Sequence, residues 1–279
     1  PKIDVYEHGM FIVIPMLSVS YRVPPGGKDE RDVQRQPKNM QLEAEAVSIF
    51  VVDSEKTVIT VQEKPGDCWS RLREQLDHSW SHLRGGDHTF LVYSLMDQTV
   101  DSLFPVLHEV LEQLSALESQ LIYDETGLGD FDIGNVHNVK HQLGYMHRML
   151  RPMREVLSST ERAAFTEGRG EKAMESKYLR DVHSHVIQLL EDAEEAISQC
   201  RDLRDLYDSK VDKRQSNVLY ALTFVTILVT PIQLLSGVYG MNFETIPELE
   251  WANGYYYFWA AAGALMLLQA IFFKAHGWF

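Results

Sequence analysis

The stretch SGVYGMNFETIPELEWANGYYYF, residues 236–258, decides the fold because it joins two long apolar segments near the end of the chain. Neither segment, residues 218–238 or residues 255–273, contains a charged side chain. A helix needs about 20 such residues to cross the hydrocarbon core of a bilayer. We therefore predict two membrane spans at these positions and a short outer loop over residues 239–254.

The residues that flank the two segments indicate how the chain crosses the bilayer. Aromatic residues at 255–257 and 259 stand where the interface between lipid and water is expected. Basic residues precede the first segment and follow the second: Lys213, Arg214 and Lys274. The joining loop instead carries three acidic residues: Glu244, Glu248 and Glu250. Because basic residues collect on the cytoplasmic side, we expect a multi-pass protein of the cell membrane with both chain ends in the cytoplasm.

The first segment also carries a row of small or polar residues: Thr223, Thr226, Thr230, Gln233 and Gly237. Their spacing alternates between three and four residues, which places them on one face of a helix. Lipid would disfavour that face, whereas a partner helix or a water-filled pore would accept it. Pro231 points the same way, since a helix break at membrane depth is tolerated beside protein or water. One chain has too few spans to enclose a pore, so a pore requires an oligomer.

The composition of the 279-residue chain excludes several classes of function. Its formal net charge of −14 argues against nucleic-acid partners, which require basic surfaces, and an acidic surface attracts cations instead. Its two cysteines show neither metal-ligand spacing nor a disulfide pattern. The sequence has no phosphate-binding loop and no nucleophile–base pair, so we do not expect an enzyme. The chain begins at Pro1 without a methionine, and we expect its N-terminus to be truncated.

The first hundred residues have the pattern of a sheet followed by helices. Apolar, β-branched runs at 3–20 and 46–62 predict strands, and the second run is expected to form a hairpin around DSEK at 53–56. The pattern turns helical from Asp67. We therefore predict an α/β cytosolic domain over residues 1–100.

The middle of the chain has the pattern of two antiparallel helices. One long helical run is predicted over residues 90–122 and a second over residues 136–158, with a turn rich in Gly and Asp between them. These runs predict a cytosolic helical hairpin over residues 101–175.

A third helical pattern leads into the first span. Its apolar residues recur at nearly heptad spacing: Val182, Val186, Leu189, Ala193, Ala196, Cys200, Leu203, Tyr207 and Val211. No Gly or Pro interrupts this pattern before Pro231. We therefore predict one continuous helix from about residue 176, with a stalk over residues 176–217 and a transmembrane domain over residues 218–279.

A short motif in the outer loop resembles a family signature. YGMNF at 239–243, followed by PEL at 247–249, is similar to the signature of the CorA family of magnesium channels, which carry Gly-Met-Asn at the outer end of the first of two C-terminal helices. Four further segments resemble family segments in the family order: QEKPGD (62–67), YSLMD (93–97), RPMREVLSS (151–159) and YLRDVHSHVIQL (178–189). By this resemblance the chain is identified as a member.

The resemblance implies a funnel-shaped homopentamer in which the first span lines a pore for magnesium. Gly240, Met241 and Asn242 would form the selectivity filter at the outer mouth. Magnesium releases its water shell reluctantly, and a ring of Asn242 amide oxygens can hydrogen-bond those waters without removing them. The acidic loop residues would either concentrate dications at the entrance or simply remain solvated: Glu244, Glu248 and Glu250.

The resemblance also implies an apolar gate near the cytoplasmic end of the pore. The matching positions are Leu219 and Leu222, which would close the pore by dewetting. Family members place an asparagine before this gate, whereas this chain has Ser216, with Asn217 one place away. The implied pore lining is therefore Ser216, Leu219 and Leu222, together with the row of small and polar residues from 223 to 237.

Regulation by magnesium is a further implication of the resemblance. RDVHSH at 180–185 resembles the stalk segment whose aspartate binds magnesium between neighbouring cytosolic domains in bacterial members. The matching residues are Asp181 and His185, and Asp67 is a candidate partner. Internal magnesium would neutralise repelling carboxylates and close the funnel. The alternative interpretation of Asp181 is an ordinary acid near a helix N-terminus.

Two other functions stay open at this point. One is transport of zinc, cobalt or nickel on the same scaffold. The other is a membrane-tethered scaffold whose heptad stalk forms a coiled coil and only oligomerises the chain.

Overall fold

The structure, a computed structural model, describes residues 1–21, 39–64, 68–123, 131–166, 171–242, 244 and 246–275. Most of the polar loop predicted before the hairpin and most of the turn predicted after residue 122 lie outside these residues. The chain divides into two compact units, Pro1–Tyr207 and Asp208–Phe279. The finer division into four domains stays a prediction.

The first unit begins with an antiparallel sheet of four strands in the order β1-β2-β3-β4. The strands are β1 (Lys2–Tyr6), β2 (Gly9–Tyr21), β3 (Met40–Val52) and β4 (Thr57–Gln62). The hairpin predicted around residues 53–56 is confirmed, since Val52 pairs with Thr57 across a 3-10 turn at Asp53–Glu55. Lys56 completes the turn in the left-handed region, with φ of 48°.

Burial changes from one face of the sheet to the other along β3. Near the hairpin the buried residues are Val47, Ile49 and Val51, whereas at the opposite end they are Met40 and Leu42. Successive side chains of a strand point to opposite faces, so the two ends of β3 are buried on opposite faces. A single alternating pattern therefore does not run through the strand, and β3 begins at Met40 rather than at residue 46 as predicted.

Helices cover the sheet and continue to the end of the described chain. They are α1 (Ser70–Asp77), α2 (His82–Gly85), α3 (His88–Asp101), α4 (Leu103–Tyr123), α5 (Ile133–Thr166), α6 (Glu171–Tyr239) and α7 (Gly254–Ala275). Helix α5 supplies hydrogen bonds at the start of β3: Asn138 Nδ2 donates to Met40 O at 2.9 Å, and Gln142 Oε1 accepts from the Leu42 N–H at 2.9 Å.

The prediction of one long helix over residues 90–122 is wrong, because the chain breaks at Ser102 into α3 and α4. Pro105 has no N–H, so it offers no helical hydrogen bond to the carbonyl of Asp101. The Ser102 hydroxyl donates to Thr99 O at 2.6 Å and its N–H donates to Gln98 O at 3.0 Å, which closes the end of α3. The break lets α3 and α4 take separate paths over the sheet.

The continuous helix predicted from the stalk into the first span is confirmed as α6, which has 69 residues and contains Pro231. At 1.5 Å per residue its length is about 100 Å. Its apolar seam is buried within the chain from Val182 to Leu203.

Side chains of the preceding elements pack against this seam and its flanks. His147 Nε2 on α5 lies 2.9 Å from Glu194 Oε1, and the Phe131 and Tyr207 rings are 5.6 Å apart. This part of the seam is therefore covered by packing within the chain. Assembly through the stalk as a coiled coil stays a prediction.

Candidate functional site

Two helices in the described part of the chain are long and apolar enough to cross a membrane. One is the C-terminal part of α6, and the other is α7, whose 22 residues span about 33 Å. The Phe224 and Phe273 rings meet edge to face at 6.2 Å, and those of Tyr239 and Phe258 do so at 5.8 Å. These two contacts fix which face of the first span lies against the second.

The row of small and polar residues lies on the other side of the first span. All of its members are exposed: Thr223, Thr226, Thr230, Gln233 and Gly237. Phe224, Leu228 and Pro231 are half-buried on the side of α7. At about 100° per residue the row is centred roughly opposite that contact face. Packing against the chain's own second span therefore does not explain the row.

Two hydroxyl groups of this row donate hydrogen bonds within the helix. Thr226 Oγ1 donates to Leu222 O at 2.8 Å, and Thr230 Oγ1 donates to Thr226 O at 2.6 Å. The lone pairs of these two hydroxyl oxygens remain available to accept hydrogen bonds from water or from another chain. The implied gate positions lie on the same side: Ser216, Leu219 and Leu222 are all exposed.

The predicted filter follows directly on the end of α6. The Gly240 N–H donates to Ser236 O at 3.0 Å, and the Met241 N–H donates to Val238 O at 3.2 Å, so the chain still turns helically there. A Cβ atom at Gly240 would lie 3.3 Å from Ser236 O, a tight but adjustable contact. Met241 and Asn242 are both exposed, so nothing in the single described chain fixes the amide.

The acidic residues of the outer loop lie between the two spans. Glu244 and Glu250 are exposed, and Glu248 lies in the 3-10 turn Pro247–Glu250. Three carboxylates in a short segment without basic residues give the loop a negative potential that attracts cations.

A second cluster of charged side chains lies in the first unit, between α3 and α6. His185 Nδ1 is 3.1 Å from Asp101 Oδ1 and 3.5 Å from Asp97 Oδ1. Among the described residues these three side chains form the one group whose ligand atoms converge closely enough for a metal ion, all within 4.8 Å of one another. Asp97 and Asp101 lie four residues apart, on one face of α3.

The electrostatics of this cluster favour a bound cation. Burial raises the pKa of the Asp97 carboxyl, and repulsion from Asp101 raises it further, while His185 offsets part of the rise. Asp97 Oδ1 and His185 Nδ1 are shielded from water and have no aligned hydrogen-bond partner within the described residues. Buried polar atoms that lack a well-aligned hydrogen bond cost free energy, and a cation bound beside these two atoms would coordinate both. Two carboxylates and an imidazole suit a first-row transition metal and, through their oxygens, magnesium.

The predicted regulatory residues have different positions relative to this cluster. His185 belongs to it, whereas Asp181 lies one turn earlier on α6, is exposed, and accepts a hydrogen bond from the Tyr93 hydroxyl at 3.0 Å. Asp67 lies outside the described residues.

Sequence reasoning missed Asp97 and Asp101 as candidate ligands. The available signal was the placement of two acids, four residues apart, in a helix whose neighbouring positions are apolar: Val92, Leu95, Met96 and Val100 are all buried. Acids on such a helix are forced close to the core, where they need a partner.

Four features together define a membrane protein that interacts with cations. They are two apolar spans, an exposed polar row, an acidic outer loop and a carboxylate–histidine cluster. Comparison with known proteins agrees. The family model described as CorA-like Mg²⁺ transporter protein matches residues 30–274, and the chain belongs to that family. Members of this family are divalent-cation transporters rather than enzymes.

Individual relatives extend the comparison over the whole chain. The cobalt/magnesium transport protein CorA of Thermotoga maritima is 29% identical over 282 residues, covering 100% of this chain and 72% of that protein. The divalent cation transporter CmaX of Pseudomonas aeruginosa is 20% identical over 235 residues, covering 83% of this chain and 68% of that protein.

A solved structure shows the same fold. The CorA magnesium transporter of Methanocaldococcus jannaschii matches with a TM-score of 0.75 at 17% identity, covering 100% of this chain and 80% of that one. The α/β domain, the long helix and the two C-terminal helices are therefore a CorA-like arrangement.

Proposed function

We propose that the protein is a magnesium channel, in which five copies surround a pore and the ion moves passively down its electrochemical gradient. The observation that carries the proposal is the exposed polar row on the first span, turned away from the chain's own second span. Five such rows facing a common axis would give a wet passage through the bilayer. Family membership and the names of the relatives support magnesium as the transported ion.

The proposed selectivity filter is a ring of Gly240, Met241 and Asn242 at the outer mouth. Asn242 is exposed directly after the end of α6, where five amide oxygens could hydrogen-bond the water shell of a magnesium ion. A neutral ring holds a hydrated dication less tightly than a carboxylate ring, which favours release into the pore. Glu244, Glu248 and Glu250 would raise the local cation concentration outside the filter.

The proposed location is the cell membrane, with both ends of the chain in the cytoplasm. Lys213, Arg214 and Lys274 lie at the ends of the spans away from the loop, whereas the loop itself is acidic. This distribution follows the positive-inside rule.

The proposed regulator is cytosolic magnesium bound by Asp97, Asp101 and His185, with Asp181 and Asp67 as further candidates toward a neighbouring chain. The crowded carboxylates repel each other until a dication binds, so binding would stabilise one arrangement of the first unit. In the proposed cycle, high internal magnesium favours a closed pore that is dewetted at Leu219 and Leu222. Depletion of internal magnesium favours the open pore.

Transport of cobalt, zinc or nickel is the second candidate function, and one observation favours it. His185 gives the regulatory cluster a nitrogen ligand, which transition metals prefer to magnesium. The Thermotoga maritima relative is named for cobalt as well as magnesium.

The experiment that tests the proposal combines the mass of the detergent-solubilised complex with ion flux into reconstituted vesicles. We expect a mass of five chains and magnesium uptake that falls when magnesium is present at the cytoplasmic face. A monomer that is impermeable to magnesium would contradict the proposed channel. Zinc uptake that magnesium does not affect would instead indicate zinc as the transported ion.

A further inference from the structure

Gln269 is the one amide or charged side chain in the apolar segment 255–273. The spacing along α7 places it on the same helical face as Phe258, Ala262 and Phe273. Ala262 and Phe273 are buried and the other two are half-buried, so this face packs against α6. An amide in the hydrocarbon region of a bilayer is costly unless it is hydrogen-bonded.

The two ring contacts between the spans give the register of α6 against α7. Phe224 meets Phe273, and Tyr239 meets Phe258. The same number of residues separates the two contacts along each helix, and the helices run in opposite directions. Since both helices rise by about 1.5 Å per residue, the amide one turn before Phe273 is level with Leu228, one turn after Phe224.

The carbonyl of Ile227 lies near the level of this amide and lacks its usual helical donor. In an uninterrupted helix it would accept a hydrogen bond from the N–H of residue 231, but Pro231 has no N–H. Ile227 and Pro231 are four residues apart, and both are half-buried. The freed carbonyl therefore lies on the side of α6 that faces α7.

The amide of Gln269 is able to supply the missing donor. Its Oε1 is shielded from water and has no hydrogen-bond partner within the described residues. The amide can turn over about its last side-chain bond, because its oxygen and nitrogen are nearly equal in size, and it then presents N–H donors at the shielded position. A hydrogen bond to the freed carbonyl would relieve two unpaired polar groups at the same depth of the bilayer.

We infer that Gln269 is a positioning residue, whose amide donates to the Ile227 carbonyl that Pro231 leaves without a donor. The second span thereby holds the first span at its break. The hydrogen bond does not depend on the proposed function, whereas its effect on conduction rests on the proposed pore. The break lies within the polar row, between Thr230 and Gln233, so fixing the break fixes the direction in which the row faces.

The test is solid-state NMR of the full chain in lipid, with isoleucine labelled by ¹³C at its carbonyl and leucine labelled by ¹⁵N. Ile227–Leu228 is the one Ile–Leu pair in the sequence, so a spectrum filtered for bonded ¹³C–¹⁵N pairs shows the Ile227 carbonyl alone. We expect Gln269→Met, which removes the amide and keeps the length of the side chain, to move this resonance upfield. In Pro231→Ala the helical N–H returns, so adding Gln269→Met should leave the resonance in place.

Magnesium uptake into vesicles gives the functional readout. Gln269→Met should lower uptake roughly 3-fold, which is the factor that one average hydrogen bond between membrane helices provides. The same change made in the Pro231→Ala protein should have no further effect. Leu265→Met is the matched control, since Leu265 is half-buried on the same side of α7 and receives the same new side chain. It should alter neither the resonance nor uptake.

Three results would decide against the inference or separate it from the proposed channel. A resonance that stays in place in Gln269→Met, or that moves equally in the Pro231→Ala protein, would overturn the hydrogen bond. A moved resonance with unaltered uptake would overturn the positioning role. If the resonance moves as expected but the unchanged chain takes up no magnesium, the proposed channel fails and the hydrogen bond stands.

Discussion

The two units of the chain differ in whether one copy is enough to form the proposed site. In Pro1–Tyr207, the carboxylate–histidine cluster is assembled by α3 and α6 of one chain, with its ligand atoms already converging. In Asp208–Phe279, the polar row and Asn242 are exposed, and their proposed partners are other copies. The difference suggests that folding alone builds the proposed regulatory site, whereas conduction requires assembly in a membrane.

Helix α6 shows the same contrast along its own length. Val186 and Leu189 are fully buried in the first unit, whereas Leu219 and Leu222 are 53% and 62% exposed in the second. Exposed apolar side chains of this density are unfavourable in water and require lipid or protein to cover them. One uninterrupted helix thus passes from a segment buried within the first unit to a segment that contacts α7 on one side and is exposed on the other.

The largest expected effect is at the filter, where Asn242→Ala should reduce magnesium flux to under about a tenth, since the ring loses the groups that hold the hydrated ion. The measurement is uptake into reconstituted vesicles by a magnesium-sensitive dye. Asn253→Ala, an identical change in the same outer loop, should leave flux near normal. If the Asn242→Ala protein conducted as well as the unchanged chain, the exposed amide would have no role in conduction.

The next effect is at the cluster, where Asp97→Asn should abolish the stabilisation by cations and leave assembly intact. A cation at about 100 times its dissociation constant should raise the melting temperature of the unchanged chain by about 5–10 °C. The variant should lack this rise and melt slightly higher in chelator, because one of two repelling carboxylates is neutral.

Asp202→Asn on α6 is the control for this prediction and should respond to cations as the unchanged chain does. A full cation response in the Asp97→Asn protein would show that the first unit binds regulatory cations elsewhere.

A smaller effect is expected within the polar row. Thr226→Val keeps the shape of the side chain and removes its hydroxyl, which should lower flux about 2- to 5-fold if the row faces water. Val225→Thr makes the reverse change on a neighbouring position outside the row and should have little effect. If Thr226→Val instead raised stability with unchanged flux, the row would be an interface between helices, not a pore lining.

Much of the fold followed from the sequence where one periodic pattern continued without interruption. The two spans, the long helix through Pro231 and the hairpin at Asp53–Glu55 are of this kind. Prediction failed where a local feature interrupted the periodic pattern. Pro105 divides a helix whose apolar pattern continues across the break, and the start of β3 is buried on the opposite face from its end.

The candidate site was predictable only in part, since it combines local motifs with long-range contacts. The motif at 239–243 and the segment containing Asp181 and His185 are contiguous in sequence. The convergence of His185 with Asp97 and Asp101 depends on how α3 packs on α6, which no spacing in the sequence encodes. The heptad-like seam left its partner open, because its pattern does not say whether that partner lies within the chain or in another copy.

The smallest expected effect sharpens the description of the first unit and concerns His88, which joins the hairpin to α3. His88 Nδ1 lies 2.6 Å from Asp87 Oδ1, and its Nε2 lies 3.2 Å from Asp53 Oδ1. Burial alone would lower the pKa of His88, but the two hydrogen-bonded carboxylates outweigh it and raise the pKa above its ordinary value. A raised pKa in the folded state stabilises the fold below the unfolded pKa of about 6.5, and that contribution is lost as pH rises through the folded value.

We therefore expect the melting temperature of the unchanged chain to fall modestly between pH 6 and pH 9, and His88→Gln to remove that part of the fall. The measurement is thermal unfolding in chelator at both values of pH, so that the cation cluster does not contribute through bound metal. His137→Gln, a change at an exposed position on α5, should keep the full dependence. An unaltered dependence in His88→Gln would show that the bridge between Asp53 and Asp87 contributes nothing to stability, and that the hairpin is held to α3 by apolar packing alone.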